Sequence, residues 1–296
     1  MTVRLWMTKT GGMLPGILVH PSTQSQGMRK RAMIKGTMLD VRAYLKRIGH
    51  TGSREPSGHT LRTLHRAHML SVPFENLDIH IGRPIVCDVD CFLRKITEEH
   101  RGGFCYELNG AFAELLRALG FSVTLLSVRV ARDDGTESPE FAHLALRVEI
   151  PNHEDEGPWL ADVGFGDSFL EPLRLETGVD QAQIGRVYRL SEIAGRFVME
   201  VLLPDAPGAW KRQYSFTLQP RRLEEFESMC AYQQTSPESH FTRQRICSRA
   251  TPHGRVTLSD LKLIETTDGD RQERTLTSEA EWRATLNEVF RIGLPT

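Results

Sequence analysis

The sequence predicts an α+β protein whose helices come first and whose strands follow. Three observations carry this. Apolar residues recur at helical spacing from Met38 to about Phe121, the period falls to two after Gly120, and helix and strand signals mix again beyond about residue 222. A chain of 296 residues buries a substantial core and exceeds the usual single-domain size. The segments 38–121, 122–222 and 223–296 are therefore read as packed subdomains.

Residues 1–37 contain one apolar run, 13–19, which Pro15 and Gly16 interrupt, and Arg29, Lys30, Arg31 and Lys35 form no motif. That is neither a membrane span nor a signal peptide. The segment is expected to be a disordered extension, or the product of an over-long start. Met38 opens an amphipathic helix with Asp40 near its start and Val41, Tyr44, Leu45 and Ile48 on one face. A second helix covers about 61–70 and ends near Pro73, since the residue before a proline avoids helical geometry. A third starts near Asp90 and turns Phe92, Leu93 and Ile96 inward. A fourth carries Leu108, Phe112, Leu115, Leu116 and Leu119 at three- and four-residue spacing until Gly120 stops it. Residues 122–130, 143–150, 159–163, 186–190 and 197–203 read as strands of a small barrel or curled sheet. A helix near 223–232, strands within 245–264 and a last helix follow. Ser278 and Glu281 stand at capping-box spacing for that helix, with Trp282, Leu286, Val289 and Phe290 inward.

The stretch Arg101-Gly102-Gly103-Phe104-Cys105-Tyr106-Glu107-Leu108-Asn109 sets a cysteine in the first turn of the fourth helix, directly after two glycines. Glycines let the backbone turn tightly and approach a substrate, and the free N–H groups of a helix start favour an anion such as a thiolate. The plain alternative is a small buried cysteine in a helix cap. A nucleophilic thiol needs a base and an orienting group. In the strand that follows, Leu144, Leu146, Val148 and Ile150 alternate as a core face, so His143 lies on the opposite face with Ala145 and Arg147, which suits a residue facing a cleft. Asp162 stands at the end of a short apolar strand before Gly164-Phe165-Gly166, where a carboxylate usually has a partner. Each is weak alone; in this order they make the parts of a thiol triad.

Together with Val72-Pro73-Phe74-Glu75-Asn76-Leu77, Asp162-Val163-Gly164-Phe165-Gly166, Ser236-Pro237-Glu238-Ser239-His240-Phe241 and Thr251-Pro252-His253-Gly254-Arg255, these segments make the chain resemble an arylamine N-acetyltransferase from Met38 onward. The resemblance implies an N-terminal helical bundle, a central β-barrel and a C-terminal α/β lid around a core like that of transglutaminases and cysteine proteases. It also implies a Cys105, His143, Asp162 triad, acetyl-coenzyme A as donor, an arylamine, arylhydrazine or N-hydroxyarylamine as acceptor, and a Glu75–Arg101 ion pair behind the nucleophile loop. Gly164, Phe165 and Gly166 are the expected contacts to the pantetheine arm, although a glycine-rich turn is also simply a turn. Ala142 stands where many relatives carry Thr, which removes a local hydrogen bond. An amide synthase closing a macrolactam from a carrier-bound polyketide shares these motifs, and a thiol hydrolase or transglutaminase-like enzyme shares the triad.

Composition fits a small-molecule enzyme. A net charge of −1 and a sequence pI of about 6.8 give no pull toward nucleic acid or an anionic membrane. Five cysteines in so long a chain point to a reducing compartment, the cytoplasm. Cys87 and Cys91 have the wrong spacing for a zinc knuckle and lack a second pair, so no metal is expected. His65 and His68, one helical turn apart, read as polar packing.

Overall fold

Asp40 caps α1 (Val41–Arg47), its carboxylate accepting from the N–H groups of Arg42 and Ala43. The computed structural model describes residues 39–203, 206 and 208–295; the expected extension, residues 1–37, lies outside them. Ser57 caps α2 (Gly58–Ser71), which ends where Val72 turns extended ahead of Pro73. A short strand β1 (Phe74–Glu75) and helices α3 (Leu77–His80) and α4 (Val89–Thr97) lead to α5 (Cys105–Ala118). This last helix packs against α4 on one side and the barrel on the other, and it is buried nearly all round. A helix apolar on every face belongs at the centre of a core.

The strands β2 (Ser122–Val130), β3 (His143–Glu149), β4 (Trp159–Ala161), β5 (Leu173–Arg174), β6 (Asp180–Gln183), β7 (Arg186–Ile193), β8 (Arg196–Leu202) and β9 (Trp210–Phe216) form one antiparallel sheet. Their order is β5-β4-β3-β2-β9-β8-β7-β6, so the two ends of the sheet are β5 and β6. Two glutamines of β6 bridge these ends. The Gln181 amide accepts from Arg174 N–H at 2.8 Å and donates to Arg174 O at 3.0 Å. The Gln183 amide accepts from Leu170 and Glu171 N–H at 2.9 and 3.0 Å and donates to Glu171 O at 2.6 Å. Side-chain amides thus stand in for the missing backbone ladder, and the sheet is nearly closed. Sequence periodicity missed β5, β6 and β9. The segment Asp180-Gln181-Ala182-Gln183 is polar because its side chains make the seam, and Lys211, Arg212 and Gln213 obscure the alternation of the central strand β9.

One face of β3 behaves differently from its sequence reading. Leu144, Leu146 and Val148 point into the helical core as expected. The opposite face is not an open cleft wall: Ala145 is buried among Leu126, Leu160 and Tyr214 in the barrel's own core. The strand separates two cores, and His143 sits at its start, where the barrel core meets a cavity.

Beyond the barrel, α6 (Glu227–Thr235) and α7 (His240–Arg243) precede β10 (Ile246–Thr251), β11 (Gly254–Ser259), β12 (Lys262–Thr267) and β13 (Asp270–Thr275). These four strands continue a sheet that begins with β1, with Phe74 opposite Ser248 and Glu75 opposite Cys247. The segment bearing Glu75 is therefore tied into the C-terminal sheet. Helix α8 (Glu279–Phe290) covers that sheet with Trp282, Leu286 and Phe290. Ser278 caps it, while Glu281 reaches back to Thr277 N–H at 2.7 Å, one residue earlier than the capping-box spacing implies. No helix among the described residues is long and apolar enough to cross a membrane.

Candidate active site

The nucleophile loop is shaped by contacts with β1. Gly103 O accepts from Glu75 N–H at 2.9 Å. A Cβ on Gly102 would lie 1.8 Å from Pro73 O, so this glycine is required by the approach of two protein backbones. That corrects the expectation that the glycines make room for a substrate. Phe104 then stands at the helix N-cap with its N–H donated to the Glu107 carboxylate at 3.0 Å. Cys105 follows as the first helical residue, buried, with N–H groups of the first turn lacking i−4 carbonyls.

His143 Nε2 lies 2.7 Å from Asp162 Oδ2. A carboxylate accepts only, so Nε2 carries a hydrogen and Nδ1 is the nitrogen left for Cys105, which is near enough to favour the charged ring. Burial disfavours a charged ring here. Asp162 and Cys105 together outweigh burial and push His143 up to about 10. Asp162 is completely buried. Burial raises its carboxyl, but His143, Asn109 and the Gly164 N–H together hold it below the usual carboxylate range. Its Oδ1 accepts from Asn109 Nδ2 at 2.9 Å and from Gly164 N–H at 3.0 Å.

Asn109 carried no role in the sequence reading, although it closes the nucleophile motif. Four residues after Cys105 it shares that residue's helix face. Besides Asp162 it binds Leu144 O through Nδ2 at 2.7 Å and Val163 N–H through Oδ1 at 2.9 Å, joining α5 to β3 and to the turn after β4 that carry the other two residues. Tyr106 makes a similar tie, its hydroxyl donating to Phe141 O at 2.7 Å just before β3.

Gly164 lines the cavity, yet the space beside it is filled by protein. A Cβ there would stand 2.6 Å from Asn109 Nδ2 and 2.8 Å from Cys105 Cα. Gly164→Ala must push the Asp162 turn away from α5. It is expected to lower stability by about 1–3 kcal/mol and to weaken the site's activity, measurable as a lower Tm and a lower kcat/KM. A variant unchanged in both would show that the turn has slack.

A cavity of about 810 Å³ opens above Cys105 and His143. The barrel side supplies Phe165, Gly166 and Ala142; the C-terminal segment supplies Met229, Tyr232 and Phe241 from α6 and α7. Arg255, quoted above only within a turn motif, also lines it. Its guanidinium donates to Asp167 Oδ1 and to Ser248 Oγ, each at 3.1 Å, and Arg186 pairs with Asp167 at 2.9 Å. Sequence reasoning missed this contribution because the Arg255 side chain is held by Asp167, a loop residue distant in the chain.

Glu75 and Arg101 do pair, with Nη2 at 2.8 Å and Nε at 3.0 Å from Glu75 Oε1. They are part of a larger buried set. Arg101 also meets Asp78 Oδ1 at 2.9 Å, and Lys95 Nζ lies 2.8 Å from Asp78 Oδ2 and 2.7 Å from Glu107 Oε1. Through Glu107, this set reaches the cap of the Cys105 helix.

The sequence profile of the N-acetyltransferase family matches residues 59–296. By class, then, the chain is an acyltransferase. It is 34% identical to arylamine N-acetyltransferase 1 of Homo sapiens over 281 residues, which span 86% of this chain and 95% of that one. The solved arylamine N-acetyltransferase of Nocardia farcinica is similar with a TM-score of 0.79 at 36% identity, over 88% of this chain and 92% of that one. The Mycobacterium marinum arylamine N-acetyltransferase solved in complex with CoA gives a TM-score of 0.79 at 31% identity, over 86% and 93%. The chain belongs to the arylamine N-acetyltransferase family.

Proposed function

We propose that the protein transfers an acetyl group from acetyl-coenzyme A to an arylamine, arylhydrazine or N-hydroxyarylamine through an acetyl-Cys105 intermediate. The observation that carries this reading is the His143 ring, held by Asp162 on one nitrogen and turned to Cys105 with the other, at the floor of a cavity of about 810 Å³. Cys105 Sγ attacks the thioester carbonyl as His143 holds the thiol proton. N–H groups at the start of α5 are placed to receive the developing oxyanion. The carbon–sulfur bond to coenzyme A breaks, and the departing sulfur takes the proton from His143. An arylamine, largely unprotonated at neutral pH, then attacks the acetyl-Cys105 carbonyl. Its proton passes to His143 as the Cys105 sulfur leaves, which restores the starting pair.

Asp162 serves throughout by keeping the ring oriented and offsetting its charge. Gly166 and Phe165 flank the route to Cys105, with Arg255 as a partly buried cation on the same cavity wall. The solved complex of the Mycobacterium marinum relative with CoA supports a coenzyme A thioester as donor. The acceptor class follows from the family.

Because the acetyl group rests on the enzyme between substrates, initial-rate plots are expected to be parallel, and coenzyme A is expected to leave without any amine. Intact-mass analysis after mixing with acetyl-coenzyme A should show one acetyl adduct, mapped to Cys105 and lost on adding an arylamine. Intersecting plots and no adduct would sink the mechanism. Acetate release without an acceptor would favour a hydrolase. Indifference to acetyl-coenzyme A would favour a macrolactam-forming amide synthase.

A further inference from the structure

His65 sits on α2, wholly buried, stacked on Phe169 at 5.6 Å and edge-on to Phe112 at 5.9 Å between ring centroids. Its two nitrogens meet partners of opposite kind. Nδ1 lies 2.8 Å from Leu170 O, and Nε2 lies 3.1 Å from the backbone nitrogen of Asp162. A carbonyl oxygen only accepts and a peptide N–H only donates, so the ring carries its proton on Nδ1 and presents a bare Nε2 to Asp162. Burial pushes the ring down to about 4, against the opposing influence of Leu170 O and Asp162. The neutral tautomer therefore persists through neutral pH.

We propose that His65 is a positioning residue for acetyl transfer: its Nε2 fixes the Asp162 peptide, and with it the direction of the carboxylate that orients His143. Asp162 needs such a partner because it lies one residue past the end of β4. A buried N–H without an acceptor is costly, so the loss of Nε2 would favour rotation of the turn. Rotation moves the carboxylate that holds His143 at 2.7 Å. The strut is anchored at the barrel seam, where Leu170 N–H donates to Gln183 Oε1 at 2.9 Å. A continuous series of contacts thus runs from Gln183 through Leu170, His65 and Asp162 to His143 and Cys105. The inference rests on the triad reading of the last three.

The titratable groups around these rings come from several elements. His143 faces Asp162, Cys105 of α5 and Tyr214 of β9, and His65 faces Asp162 and its helix neighbour His68. None but Asp162 touches both histidines, so a change at His65 reaches His143 through Asp162.

Three measurements test this. In the wild-type protein, nitrogen-15 NMR of the His65 ring should show a protonated Nδ1 and a bare Nε2 from about pH 5 to 9; a charged ring or an Nε2–H tautomer overturns the proposal. His65→Phe removes the acceptor while retaining an aromatic ring. The NMR titration midpoint of His143 should fall by about one unit, with a loss in kcat/KM of about tenfold, the factor that one unit represents. His65→Gln can still donate to Leu170 O and accept from Asp162 N–H, and it should restore both towards wild type. A folded His65→Phe with wild-type midpoint and rate overturns the proposal, and if that variant fails to fold, the wild-type tautomer decides. Absence of acetyl-Cys105 in the wild-type protein would instead refute the triad reading, so the two failures are distinguishable.

Discussion

Cys105→Ser is expected to fold like the wild-type protein and to retain less than about one per cent of acetyl transfer, within the loss of roughly 10²–10⁴ that follows when a positioned base cannot act. The substitution is nearly isosteric at a buried first-turn position, so the α5 packing and the Glu107 cap remain. The chemistry does not. A hydroxyl is so much less acidic than a thiol that even His143, raised by Asp162, cannot hold its proton to leave an anion. The same variant should bind acetyl-coenzyme A yet show no acetyl adduct by intact mass and no coenzyme A release. Retention of more than about one per cent of the rate, against that range, with wild-type Tm, would remove Cys105 from the nucleophile role.

The path from sequence to this site was clearest where chemistry and local periodicity coincide. Cys105 was legible because a helix start, its apolar spacing and its stop all lie within twenty residues of chain. Asp162 was legible because a charge at the end of an apolar strand demands a partner. His143 was placed on the correct strand face, but the character of that face was misread. Two-residue alternation tells which side chains share a side and not what covers that side, and here Ala145 meets a second core instead of solvent.

Residues whose work is to hold others were harder to read. His65 looked like polar packing, and by contacts it is packed; only the spatial arrival of Asp162, with its N–H 3.1 Å from Nε2, gives the ring a direction. Asn109 was quoted inside a motif without a role, since its three partners lie on β3 and on the turn after β4. Lys95 was hidden among inward apolar neighbours of α4, and a lysine on a helix is ordinarily a solvated side chain. The seam glutamines were passed over for a related reason: their polarity argued against a strand, while in the fold it closes the barrel. Local pattern fixes elements, but side-chain ties between elements depend on tertiary approach.

The largest effect on stability is expected at Lys95. Its ammonium is 3% exposed and lies 2.7 Å from Glu107, 2.8 Å from Asp78 and 3.7 Å from Glu75. Despite burial, the three carboxylates raise Lys95 above its ordinary value, with Glu107 the largest of their contributions. Lys95→Met keeps the volume and removes the charge. Three buried carboxylates then keep Arg101 as their buried cation, with the more exposed Arg83 reaching Asp78 at 3.7 Å, a broken buried set that costs about 3–5 kcal/mol, or a Tm lower by roughly 6–20 °C at this chain size.

The effect has a pH signature. Burial raises Glu107 from 4.5 to about 6 although Lys95 opposes it. Between those values the folded chain binds more protons at this residue than the unfolded chain, so its contribution to stability falls as pH rises through the window. Without Lys95 the opposition disappears and the window widens upward. The variant should therefore recover more Tm than the wild type when pH is lowered from about 8 to about 5.5.

Glu107→Gln in the Lys95→Met background should recover part of the loss, because it deletes one stranded carboxylate while its amide oxygen can still accept the Phe104 N–H. Lys211→Ala provides the contrast. Lys211 pairs with Asp133 at 55% and 93% side-chain exposure, so water already screens both charges and the cost is expected to be about 0–1 kcal/mol. Thermal melts of these variants at two pH values separate the cases. If Lys95→Met melts like Lys211→Ala, or if lowering pH gives it no extra stability over wild type, the buried charges behind Cys105 are not held in balance by Lys95.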